Sequence, residues 1–128
     1  MLQYAQYPSV PVPDLELLDG DPVSYLFSNP YDAPLDRPIF INAVYGGYRT
    51  YGDVLQCTRS LASGLRALDI QQDDVITVLS PNSIDYPIIC YSIIGCGATV
   101  SPINTALTFQ EAQRQLQTSQ ARHIIDHS

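Results

Sequence analysis

Asp85 and Tyr86 stand side by side ahead of a long uncharged run, and a carboxylate beside a phenol can give and take protons. If the pair lies at the mouth of a strand, it lies where α/β sheets place ligands. Asp85 is more simply a charge in the first turn of a helix, complementing the helix dipole. His123 adds an imidazole close to Asp126 and His127. On a helix, the two His would share a face at i and i+4 and could hold a metal. The segment reads as a strand, where the two rings share a face but stand ~13 Å apart, too far for one ion. The expectation is a polar chain end with no metal bound. Asp85, Tyr86 and His123 are therefore the candidates for acid/base work, with no catalytic residue assigned.

The other reactive types give less. Cys57, Cys90 and Cys96 form no CxxC or other metal spacing, and no base stands at a spacing that would activate a thiolate. Buried free thiols in a reducing compartment are expected. Gly95-x-Gly97 lacks the third Gly of a phosphate loop. It also sits at a helix end, whereas phosphate sits at a helix start. Six of the nine Tyr fall within residues 1–48 and could line an aromatic pocket. Packing of a Trp-free domain beneath an arm is the simpler use for them.

The whole chain narrows the classes further. Its 128 residues make one domain, with enough apolar content for a core. Six Arg, no Lys and 13 acids give a net charge of −7. Nucleic acid and anionic membranes are disfavoured as partners, because both need a basic patch. A chain without Lys can form no Schiff base and place no lysine on a phosphate. The N-terminus lacks the positive region and long apolar stretch of a signal peptide. Residues 86–110 carry no charge, but Pro87, Gly95, Gly97 and Pro102 break the run too often for a membrane span. A cytoplasmic location is expected.

These residues need elements to hold them. Residues 1–38 carry seven of the ten Pro and six acids, and read as a loop-rich acidic arm with one helical turn at Pro22 to Phe27. Residues 39–128 read as a single α/β domain. Ile39 to Ile41, Gly46-Gly47 and Tyr48 to Tyr51 suggest a hairpin. Thr50 and Asp53 suggest a capping box for a helix that puts Val54, Leu55, Leu61, Ala62, Leu65 and Leu68 on one face. Gly64 on that helix suggests a close backbone approach. Val75 to Leu79 is a β-branched strand. A helix starts near Ser83 and Asp85 and ends at Gly95 and Gly97, and Ala98 to Ser101 is a short buried strand. Thr108 and Glu111 form a second capping box, and Arg122 to Asp126 is the last strand. Alternating helices and strands predict a mainly parallel sheet flanked by helices, after the arm and the hairpin.

At four of these places the sequence resembles the adenylate-forming superfamily of acyl-CoA synthetases, coumarate–CoA ligases, luciferases and peptide-synthetase adenylation domains. Tyr48-Arg49-Thr50-Tyr51-Gly52-Asp53-Val54-Leu55 resembles its first core motif, and Ser80-Pro81-Asn82-Ser83-Ile84-Asp85-Tyr86-Pro87 its turn into a helix. Ile94 to Asn104 resembles its second core motif, and Leu107-Thr108-Phe109-Gln110-Glu111 the helix start that follows. The resemblance runs from about Pro38 to Asp126 and is nearest to coumarate-ligase-like enzymes of the kind common in fungal secondary metabolism. In that family the ATP-binding loop with its Lys, the acidic ribose-binding residue and the lid Lys all come later. The resemblance therefore implies no catalytic residue and no cofactor here. Asp69 and Asp73 depart from the family's Gly-containing turns, and Asp tolerates the left-handed conformation such turns need.

A truncated, non-adenylating domain of this type is expected, binding a small molecule or a partner. A stand-alone enzyme for isomerisation or cyclisation of a hydrophobic metabolite is the second reading. A fragment of an acyl-CoA ligase is the third, against which the initial Met weighs. Uncharged residues 86–110 suggest a homodimer or a partner-protein complex through that region.

Overall fold

The computed structural model describes residues 21–28 and 32–127. The reading of the arm before Asp21 lies outside the described residues. Helix α1 (Pro22–Phe27) starts where the Asp21 carboxylate accepts from the Ser24 amide at 2.8 Å. Strands β1 (Pro38–Ile41) and β2 (Tyr48–Thr50) pair antiparallel as the expected hairpin. The Asn42 side chain shapes its turn, accepting from the amides of Val44 and Tyr45 at 2.9 and 3.0 Å.

Helix α2 (Tyr51–Ala67) opens on the complete Thr50–Asp53 capping box. It ends before Asp69, which takes a φ of 65°, and Asp73 takes 68° in the next turn. Both Asp residues adopt the left-handed conformation expected of them. Strand β3 (Val75–Leu79), helix α3 (Tyr86–Gly95), strand β4 (Thr99–Ile103), helix α4 (Phe109–Ser119) and strand β5 (His123–Asp126) follow. Gly97, at a φ of +80°, turns the chain from α3 into β4.

The sheet has the order β4-β3-β5, with both pairs parallel. The chain steps from β3 to β4 on one side, then returns past β3 to β5. With right-handed crossovers, that reversal puts α3 and α4 on opposite faces. On the α3 face, Ile76 and Val78 meet Leu65 and Ile70 of the α2 side and Ile89, Ile93, Cys96 and Ala98 of the α3 side. The Ser92 hydroxyl lies 2.7 Å from the Ile88 carbonyl and 3.1 Å from that of Thr58, tying α3 to α2. On the opposite face, Thr77 is buried with no partner for its hydroxyl, and α4 buries no residue fully.

Helix α1 closes over α2 and α3. Phe27 stacks edge-on against Tyr91 at 5.8 Å and tilts against Tyr51 at 6.0 Å, and the Tyr51 hydroxyl donates to the Leu26 carbonyl. These Tyr rings serve packing. Ile88, Ile89, Ser92 and Ile93 are buried, so much of the uncharged helix is covered by its own chain. Within the uncharged run, Ile94 and Phe109 remain exposed.

Three readings need correction. Gly64 approaches nothing: a Cβ there would meet no atom within 4 Å. The glycine that needs its size is Gly52, whose added Cβ would stand 3.1 Å from the Leu35 carbonyl oxygen. Leu68 leaves the helical face because it is the C-cap of α2, and it is 75% exposed. Cys57 is exposed rather than buried, since it falls about 100° round the helix from buried Thr58. Among the described residues, no helix is long and apolar enough to cross a membrane.

Candidate ligand crevice

Beyond its last residue, β3 leads to α3 on one face, while the neighbouring β4 leads to α4 on the other. Adjacent strands whose connections diverge leave a crevice at their carboxyl ends, the usual ligand position of open α/β sheets. Here it measures about 480 Å³. Ser80, Asn82 and Tyr86 line it from the β3–α3 turn, and Asn104 and Leu107 from the β4–α4 turn. Pro102, Ile103 and Gln115 complete it. The Gln115 amide donates to the Pro102 carbonyl at 2.7 Å, holding α4 to β4 at the rim. The Asn104 side-chain Oδ1 accepts from the Ala106 amide at 2.9 Å and so fixes its own turn.

Tyr86 is the crevice's aromatic wall. Burial pushes its phenol above the ordinary value of 10.0, and the nearby Cys90 thiol, one turn along α3, pushes it further. Burial likewise raises the Cys90 thiol, while the hydrogen bond with Tyr86 opposes that rise. Both groups are neutral near pH 7, so Tyr86 offers the crevice a neutral hydroxyl.

Asp85 takes a different role from the expected one. It sits at the N-cap of α3 with helical backbone angles and makes no capping hydrogen bond. Its carboxylate instead takes both arms of Arg49, at 2.9 Å from Nε and 3.3 Å from Nη2. That hydrogen-bonded pair raises the Arg49 guanidinium above its ordinary value. The pair spans 36 residues and pins the hairpin to the start of α3. A half-exposed pair of this kind is worth up to about 1 kcal/mol. One signal pointed to it: Arg49 is the one basic residue in the hairpin sequence, residues 38–51.

His123 lies at the opposite end of the sheet. It pairs in register with Ile76, three residues before Leu79 and so ~10 Å from the carboxyl edge. Its Nε2 is 3.8 Å from buried Asp74, which also accepts from the Gln71 amide at 2.8 Å and from Arg122 at 3.3 Å. This cluster anchors the amino ends of β3 and β5. His127 lies at the carboxyl end, its Nδ1 3.3 Å from the Ser80 hydroxyl, which also reaches the Pro81 carbonyl. Asp85 and Tyr86 are thus neighbours, and His123 is not brought to them. Among the described residues, no group of three His, Cys, Asp or Glu could hold a metal ion.

The model of the family described as AMP-binding enzyme matches residues 27–128. The chain belongs to the AMP-binding enzyme family. As a member of it, the chain is 35% identical to a coumarate–CoA ligase-like protein of Arabidopsis thaliana, over 93% of its own length and 21% of the relative's. It is 39% identical to a coumarate–CoA ligase of Petroselinum crispum, over 70% of this chain and 16% of that protein. The N-terminal domain of FACL13 from Mycobacterium tuberculosis shares the fold at a TM-score of 0.72 and 23% identity, over 81% of this chain and 26% of that one. The N-terminal subdomain of NpsA from Klebsiella oxytoca, bound to 3-hydroxybenzoyl-AMSN, matches at 0.69 and 20% identity, over 83% and 25%. The chain therefore spans about a fifth of the length of the curated relatives it matches. The resemblance read from the four motifs and the parallel α/β fold are both borne out.

Proposed function

We propose that these 128 residues form a non-adenylating module of the AMP-binding family, which takes a neutral small molecule or a protein partner. The observation that carries this reading is the chemistry of the crevice: every side chain lining it is uncharged. Adenylation joins a carboxylate oxygen to the α-phosphorus of ATP and expels pyrophosphate, whose growing charge must be neutralised. The chain contains no Lys. Arg49 is tied to Asp85 and Arg122 to Asp74. The ligase activities named for the relatives belong to proteins about five times longer. What the crevice offers is hydroxyl and amide groups beside Tyr86, Ile103 and Leu107, which suits a neutral molecule with an apolar body. Three unpaired thiols suit a reducing, cytoplasmic setting.

Isomerisation or cyclisation by Asp85, Tyr86 and His123 acting together gains no support, because His123 lies across the sheet from the other two. The test is ATP–pyrophosphate exchange with a panel of aryl and fatty acids. Exchange at background is the expected result. Acid-dependent exchange well above background would contradict the reading.

A further inference from the structure

The side of α2 that meets α1 gathers positive charge that the crevice does not use. A cavity of about 540 Å³ lies there, bounded by Phe27 of α1, by Thr58, Arg59, Ser63 and Arg66 of α2, and by Gly95 at the end of α3. Arg59, Ser63 and Arg66 recur at the i, i+4, i+7 spacing of one helix face. The Arg66 Nη2 donates to the Gly95 carbonyl at 3.0 Å, which holds that guanidinium at the rim. Among the described residues Arg59 has no hydrogen-bond or ion-pair partner, although acids outnumber Arg by 13 to six in this chain. The Thr58 hydroxyl is buried and has no partner either. Tyr86 of the crevice begins α3 and Gly95 ends it, so the two sites stand ~13 Å apart along that helix.

We infer that this cavity binds a small monocarboxylate with an apolar body. Each guanidinium supplies a planar fork that fits a carboxylate. The third charged group in the lining is Asp21, whose carboxyl is held below its ordinary value by hydrogen bonds from Ser24. Two guanidiniums against one carboxylate leave one positive charge in excess, which a singly charged ligand balances. A phosphate group carries roughly 1.5 to 2 charges at pH 7, and the excess would face Asp21 unmatched. The Ser63 and Thr58 hydroxyls add donors beside the Arg pair, and a ligand oxygen would give the Thr58 hydroxyl the partner it lacks. Val23, Phe27, Leu55 and Ala62 form the apolar part of the lining, where the body of the ligand would rest. The volume is that of an ordinary small-molecule site. The inference goes beyond the proposed function and does not rest on it, because the crevice is neutral and this cavity is charged.

The experiment titrates the full chain with octanoate and follows its amides by NMR. Saturable shifts are expected at Ser24, Ser28 and Ser63, with Asn82 and Asn104 of the crevice unmoved. Arg59→Ala should weaken binding by about tenfold or more, since it removes charge-assisted hydrogen bonds. Arg59 has no partner in the fold to lose, so this variant should keep the native spectrum elsewhere. Arg114→Ala removes the same charge from α4 and should change the affinity by less than about twofold, because solvent screens a distant exposed charge. Octanol has a matching body without the charge, and it and inorganic phosphate should each bind at least ~10-fold more weakly than octanoate. Four results overturn the inference: no saturable binding, equal losses in the two Arg variants, octanol or phosphate binding as well as octanoate, or shifts centred on the crevice. The titration reads binding and the exchange assay reads adenylation, so each can fail alone.

Discussion

On one face of the parallel sheet, Ile76 and Val78 meet Leu65, Ile89 and Ile93 in a core from which water is excluded. On the other, Thr77 is itself fully buried, but α4 buries no residue fully, and Ile124, in register with Thr77, is 57% exposed. The difference begins in sequence. Helix α3 carries no charge in its ten residues and packs against α2, the sheet and α1. Helix α4, FQEAQRQLQTS, turns only Ala112, Gln115, Leu116 and Ser119 partly inward. Parallel sheets in folded domains are covered on both faces. Among the described residues, one face of the sheet is closely packed and the other is covered more thinly.

Core truncation separates the two faces most sharply. Ile93→Ala removes a fully buried side chain from the closely packed face and should cost about 2–5 kcal/mol in chemical denaturation. Ile124→Ala on the other face should cost less than about 0.5 kcal/mol. Equal losses would show that the second face is packed as tightly as the first.

A smaller effect of opposite sign is expected at Thr77. Its hydroxyl is buried and unpaired, so Thr77→Val should raise stability by about 1 kcal/mol. A loss of stability would reveal that the hydroxyl has a partner, and would narrow the contrast between the faces.

The smallest effect concerns the start of α4. The Thr108 amide and hydroxyl both donate to the Glu111 carboxylate, and these bonds hold its pKa below the ordinary 4.5. A carboxyl depressed in the folded state contributes stability above its unfolded pKa, and that contribution is lost as pH falls through the folded value. Glu111→Gln should therefore remove part of the fall in melting temperature seen on acidification below about pH 4.5. An unchanged acid limb would mean that this cap does not hold α4 in solution.

Much of the architecture was legible because its signals are local. The capping boxes at Thr50 and Thr108, the β-branched run of β3, and the Gly95 and Gly97 helix end each announce one element within a few residues. Pro22–Phe27 emerged as a helical turn for the same reason, with Asp21 as its cap and Pro22 at its start. What stayed hidden depends on long-range geometry. Asp85 looked like a helix-start charge until the fold brought Arg49 to it across 36 residues. Asp74 gathers Arg122 from 48 residues away, which no spacing rule anticipates. Gly64 and Gly52 lie on the same helix, and only the position of Leu35 decides which of them needs to be small. The crevice depends on strand order, since the divergence of the β3 and β4 connections appears only once β5 is known to pair on the far side of β3.

Amide hydrogen exchange on the isolated chain tests the difference between the two layers most directly. Exchange reports local opening, so a closely packed layer and a thinly covered one should open with different free energies. Amides of β3 and α3 should exchange slowest, and those of α4 should exchange at least ~10-fold faster. Equal protection in α3 and α4 would contradict the claim that one face of the sheet is closely packed and the other thinly covered.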